Sequence, residues 1–119
     1  MNAAEALASH RAMLAEIGED IIIRRYYGTA GPNRAYADTI ARARIVGYQP
    51  RDLVGGISQG DRKAIVLVDT LGALLPIVPG RDSDDKAVVR GKEISIIAVD
   101  DSTRRIGGTL IALELQVRG

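Results

Sequence analysis

The chain has 119 residues, a formal net charge of +1, 46% hydrophobic and 26% charged residues, the make-up of one ordinary globular domain. With no Cys, disulfides and thiolate metal sites are excluded, and the near-zero net charge argues against a strongly basic nucleic-acid binder. Phe and Trp are also missing and the aromatics are four Tyr, so the core must come from Ile, Val, Leu and Ala, whose β-branched members suit sheets.

Residues 3–17 read as one helix, rich in Ala, Glu, Leu and Met, with Leu7, Leu14 and Ile17 near one face, Ala3 and Ala4 beneath them, and Gly18 as the stop. The apolar stripe is narrow, so the helix needs a surface to lie on. The expected division is a peripheral helix over 1–18 and a single β-barrel-like domain over 19–119.

From Gly18 onward the pattern is that of strands. Ile21 to Tyr27 is an apolar-led strand broken by Gly28, Gly31 and Pro32. Residues 39–48 alternate, with Ala41, Ala43 and Ile45 on one face and Arg42 and Arg44 on the other. Pro50 closes that strand, and residues 49–62, rich in Gly, read as a long loop. Residues 63–69 form a nearly continuous apolar strand, expected to be buried on both faces. A single helical turn is expected over 70–75, before Pro76, Pro79 and an acidic stretch that includes Asp82, Asp84 and Asp85. Residues 86–89 and 92–99 flank Arg90-Gly91 as a two-residue hairpin. After a longer turn, 109–118 alternates strictly, with Ile111, Leu113, Leu115 and Val117 facing in and Glu114, Gln116 and Arg118 facing out. Without crossover helices a parallel βαβ sheet is excluded. The expected fold is mainly β: a small antiparallel barrel or sandwich of about six strands with one N-terminal α-helix.

The search for chemistry comes back thin. His10, the sole histidine, reads as a helix-surface residue without a fixed Asp partner. Gly55 and Gly60 have phosphate-loop spacing, but Asp61-Arg62 stands where Lys and Ser or Thr are needed. Asp82 and Glu93 have the first and twelfth positions of a calcium loop, but the sixth-position Gly is Ala87. Asp100-Asp101 reads as turn formation rather than a carboxylate pair. No catalytic residue, cofactor or metal is expected, and the chain is not expected to be an enzyme.

Charge alternates in sign along the chain, at −3 over residues 1–20, +4 over 21–62, −2 over 63–101 and +2 over 102–119. Thirteen of the sixteen bases are Arg, which fits interface use, where Arg is favoured over Lys, and equally a GC-rich genome. Arg24, Arg25, Arg42 and Arg44 could touch nucleic acid, but pairing with acidic protein segments is favoured, because single-strand binding calls for more stacked aromatics. The candidate interface charges are Arg42, Arg44, Asp84, Asp85, Arg104 and Arg105. No window has the length of a membrane span and no signal-peptide run opens the chain, so a cytoplasmic protein without a membrane partner is expected.

The strings Asp85-Lys86-Ala87-Val88-Val89-Arg90-Gly91-Lys92-Glu93-Ile94, Ile97-Ala98-Val99-Asp100 and Leu110-Ile111-Ala112-Leu113-Glu114-Leu115-Gln116-Val117-Arg118 resemble tailed-phage head–tail joining proteins, also called connector, head-closure or stopper proteins. Arg44-Ile45-Val46-Gly47-Tyr48, with the Gly-rich loop and Asp61-Arg62-Lys63 after it, is similar to prophage members. The resemblance covers about residues 19–119 and rests on hairpin patterns, departing at Arg90-Gly91 from the expected Asp-Gly or Asn-Gly. It implies a barrel subunit with a peripheral helix and one long loop. Copies would form a ring extending the portal channel, with portal or adaptor proteins above, tail proteins below and packaged double-stranded DNA within. Assembly would start in the bacterial cytoplasm and end in the virion. The lumen or partner loop would be 49–62, with Arg51, Asp52, Leu53, Gly55, Gly56, Gln59, Gly60 and Arg62 as its candidates. The alternative is a small barrel module that binds single-stranded nucleic acid.

Overall fold

The structure is a computed structural model that describes residues 2–28, 34–48, 60–80 and 83–119, without the side chains of 70 and 73. Helix α1 (Ala3–Ile17) precedes eight strands: β1 (Glu19–Tyr26), β2 (Tyr36–Gly47), β3 (Arg62–Leu67), β4 (Asp85–Val89), β5 (Lys92–Asp100), β6 (Arg105–Ile106), β7 (Thr109–Leu110) and β8 (Ala112–Arg118). Six of them close a barrel in the order β1-β2-β3-β8-β5-β4, every pair antiparallel, and β6 and β7 form a separate small hairpin. The protein is therefore mainly β, a closed six-stranded antiparallel barrel with one N-terminal helix, as the alternation of its strands predicts.

Inward side chains follow the period of two. Ile21 and Ile23 of β1, Ala41 and Ala43 of β2, Ala64 and Val66 of β3, Ala87 of β4, Ile96 of β5 and Leu113, Leu115 and Val117 of β8 are buried in one cluster. Small residues on β2, β3 and β4 meet long ones on β1, β5 and β8, filling a narrow interior without aromatics. A bulge between Ile96 and Ala98 lets β5 turn along β8.

One mouth of the barrel is plugged by residues 68–80. Two single-turn 3₁₀ helices, Val68–Thr70 and Gly72–Leu74, stand where one helical turn is expected, and Leu71 and Ile77 enter the core. Gly47 pairs with Arg62 at the other mouth, where the chain leaves β2 and re-enters as β3.

The helix docks through Ala3, Leu7 and Leu14 of the expected face, but Ala4 and Ile17 stay exposed. Ala6 and Leu14 are buried and Ala3, Leu7, His10 and Met13 are half-buried, whereas Ile17 is exposed. That set recurs at helical spacing, and its small and polar members Ala6 and His10 are the ones a search for large apolar residues passes over. The first turn is capped by the Asn2 side chain, which accepts from the Glu5 N–H at 2.8 Å. Gly18 ends the helix in extended backbone, and its glycine identity has a steric cause: a Cβ there would lie 2.5 Å from the Leu14 carbonyl oxygen and 2.9 Å from that of Ala43. Ile65, Leu67 and Ala112 alternate with the core positions and so point out of the barrel, yet all are buried, and α1 packs on this side, against β2 and near β6.

Two boundaries differ from the sequence reading. The expected loop 49–62 is too long at its end, because Asp61 is buried and Arg62 already belongs to β3. The expected strand 109–118 is broken at Ile111, whose N–H is taken by Arg104 O at 3.0 Å while its carbonyl accepts from Val68 N–H at 3.2 Å. Ile111 is buried but lies outside the barrel cluster. The Arg90-Gly91 turn forms as expected, with φ of 52° and 80°, the twist a two-residue hairpin needs.

Replacing Leu115 by Ala should cost roughly 2–5 kcal/mol in a urea unfolding series, since no neighbour can refill the closed interior. Gly18→Ala should lower the melting temperature and loosen α1, read as faster amide exchange in the helix than in the barrel.

Candidate functional site

The polar side chains fall into three groups, each set by strand register. The first locks the plugged mouth. Arg25 and Asp85 are direct partners across β1 and β4 and lie on the inward side at the barrel end. Asp85 is 1% exposed. It accepts from Arg25 Nε at 2.7 Å, Arg25 Nη2 at 3.0 Å and the Val78 N–H at 2.8 Å. Arg25 Nη2 also donates to the carbonyls of Leu74 at 2.8 Å and Pro76 at 3.0 Å, so one guanidinium holds both the barrel wall and its plug. Burial would push the Asp85 carboxyl up, but the bonds from Arg25 and Val78 outweigh it and hold the group below the usual carboxylate range.

The second group lies near the opposite mouth. Asp61 accepts from Gln116 Nε2 and from Arg118 Nε and Nη2, each at 2.8 Å. This explains why Gln116, expected to face water, is nearly buried. It also anchors the start of β3 just where the connection from β2 ends.

The third group covers the outer faces of β1, β2 and β5. Arg24 makes a two-pronged contact with Asp38 at 2.8 and 3.0 Å and reaches Glu93 at 3.3 Å, while Tyr26 donates its hydroxyl proton to Glu93. The Arg24 guanidinium stacks 4.0 Å above the Tyr36 ring, and Tyr26 and Tyr36 meet edge to face at 5.5 Å. The bond from Arg24 holds the Asp38 carboxyl below its ordinary range.

Of the charges expected at an interface, five are engaged within the chain. Arg42 donates from Nε to Leu14 O at 2.7 Å and from Nη2 to Ala15 O at 3.3 Å, capping α1, and pairs with Asp20 at 3.2 Å. Asp84 pairs with Arg34 at 2.7 Å, and Asp85 is the buried lock. Arg104 lies 3.2 Å from Glu114 as an ion pair without hydrogen-bond geometry, and its Nη1 is 3.2 Å from His10 Nε2. Arg105 donates to the carbonyls of Asp101 at 2.7 Å and Gly108 at 2.8 Å, tying the β6–β7 turn. Arg44 is exposed on the outer face of β2 and has no hydrogen bond or ion pair among the described residues. Of the loop candidates, Gly60 and Arg62 are described and exposed, Gly60 with φ of 95°. Arg51, Asp52, Leu53, Gly55, Gly56 and Gln59 lie outside the described residues.

His10 is placed on α1 with Nδ1 3.0 Å from Ala6 O. Asp100 accepts from the hydroxyl of Thr103 at 2.5 Å and the N–H groups of Ser102 and Thr103 at 2.8 and 3.1 Å, which lower its carboxyl range and fix the turn. Among the described residues no group of three or more His, Cys, Asp or Glu comes together. Nor is any helix among the described residues long and apolar enough to cross a membrane. Compared with known proteins, the chain matches no family model, no curated protein and no solved structure.

Sequence reasoning missed all three groups as units. Each joins residues more than ten positions apart, visible only once the strand register is known.

Asp85→Asn should cost roughly 3 kcal/mol at neutral pH, because it weakens a buried charge pair that also holds the plug. The carboxyl is lowered in the folded state, so its contribution is complete above about pH 4, the unfolded value, and is lost as pH falls through the lower folded value. The gap between wild type and Asp85→Asn in denaturant unfolding should therefore narrow as the solution is acidified below about pH 4.

Proposed function

We propose that this chain is a structural subunit of a tailed-phage or prophage head–tail connector, a ring that extends the portal channel and helps retain packaged DNA. Two lines support the reading. The strand strings of residues 85–118 resemble that family, and the fold has the parts the resemblance implies: a closed antiparallel barrel, one helix laid on its outside, and a long β2–β3 connection at a single mouth.

The observation that carries the reading is how the described polar side chains are used. Arg25–Asp85, Arg118–Asp61 and Arg24–Asp38 bind one segment of the chain to another. Meanwhile Tyr27, Tyr36, Ile40 and Val78 stay exposed. Tyr and large aliphatic groups on a surface whose charges are paired suit contacts with other proteins. In such a ring the chain has no reaction to perform. It needs no cofactor and meets no membrane, and its partners are its own copies, the portal or adaptor above, the tail below and double-stranded DNA in the channel.

Filled heads carrying their portal and adaptor provide the test. Adding the purified protein should place an extra ring of density beneath the portal in electron micrographs. A chain that leaves such heads unchanged but binds labelled single-stranded oligonucleotide tightly, with strong salt dependence, would show the reading to be wrong. Joining Tyr48 to Gly60 by a short linker in place of residues 49–59 should keep the barrel's melting transition while reducing particle completion or DNA retention.

A further inference from the structure

The outer side of the β4-β1-β2 sheet carries an apolar stripe across the strands. Ile40, Ile22 and Val88 are register partners on adjacent strands, and Ile40 is 67% exposed. Tyr36, 49% exposed, lies on the same face of β2. Acids and bases beside the stripe are paired within the chain, Arg24 with Asp38 and Glu93 and Arg34 with Asp84. A face that is apolar and aromatic, with these neighbouring charges paired, suits the core of a protein interface and offers little to a phosphate backbone.

The complement lies on the same molecule. A groove of about 280 Å³ opens beside the plug, lined by Leu75, Pro76, Pro79, Val99 and Leu110, with Asp101 at its rim. Its walls come from the plug, β5 and β7, next to β8. The groove lies at the plugged mouth on the side of β5 and β8, and the barrel order sets β8 across from β1 and β5 across from β2, so stripe and groove lie on different surfaces.

We infer that the Ile40 stripe of one copy docks into the Pro79–Leu110 groove of the next. This rests on the ring reading and names the surfaces that build the ring. A knob and a groove on different surfaces of one body are unlike partners, not a self-complementary patch. They pair head to tail, and a repeated rotation closes the circle. The charges beside the two surfaces are complementary. Arg44 lies four residues from Ile40 on the same outer face, roughly 13 Å along the strand, with no ion pair among the described residues. Asp101 is exposed, and its closest base, Arg105 Nη2, is 4.0 Å away.

The chain has no Cys, so single-Cys variants at exposed positions read the contact directly. Ile40→Cys and Pro79→Cys proteins, mixed at high concentration and oxidised, should give mixed disulfide dimers at several times the yield of either variant alone. Arg44→Glu in the first protein should reduce that yield, and Asp101→Arg in the second should restore it. Circular dichroism on each variant checks that the barrel is intact. Equal or greater yield from Ile40→Cys alone would indicate a two-fold contact and overturn the pairing. If sedimentation shows wild-type assembly, and Ile40→Asp assembles equally well without mixed disulfides, the pairing fails while the ring reading stands. A wild-type chain that stays monomeric in sedimentation and adds no ring to filled heads refutes both.

Discussion

Closing six strands into a barrel leaves an interior too narrow for bulky rings, and this constraint shapes the rest of the molecule. Barrel width grows with strand number, and even eight strands leave an inside just wide enough for side chains to fill. Here Ala41, Ala43, Ala64 and Ala87 let the wall close, and Ile21, Ile23, Ile96, Leu113 and Leu115 fill the space they leave. The absence of Phe and Trp is thus a structural fit. Full closure also removes exposed sheet edges from the barrel, so the strands cannot pair with stray chains. Any assembly must then use side chains on the outer faces or connections at the mouths.

A barrel built from small residues still has to be sealed at its ends. At one mouth residues 68–80 fold in, and Arg25 holds them against the wall through Leu74 O, Pro76 O and Asp85. The planar fork of Arg does what Lys could not, satisfying a carboxylate and two carbonyls at once. The same chemistry recurs at Arg42 over the helix end and Arg118 on Asp61. The Arg-rich composition therefore has a physical use inside the fold. Among the described arginines, Arg44 and Arg62 are the ones left without a hydrogen bond or ion pair.

That division bears on function. Polar groups that knit one chain together are held in fixed geometry and are already satisfied, so they offer little to a substrate. The outer stripe around Ile40 and the groove beside the plug are apolar surface left exposed among the described residues. One lies on the outer wall of β4, β1 and β2 and the other at the plugged mouth.

Much of the fold could be read from the residues alone, because a buried strand face writes itself as alternation. Ala41, Ala43 and Ile45 against Arg42 and Arg44 gave the correct sides of β2, and Leu113, Leu115 and Val117 those of β8. Local sterics likewise set the Arg90-Gly91 turn and the stop at Gly18. What the tertiary structure alone decided was partnership. That Ala6 rather than Ile17 completes the docked helix face, that Gln116 turns from water to Asp61, and that Arg25 finds Asp85 sixty residues away all depend on strand order and register. Those are set by closure of the whole barrel, and a one-dimensional pattern records which way a side chain points but not what stands opposite it.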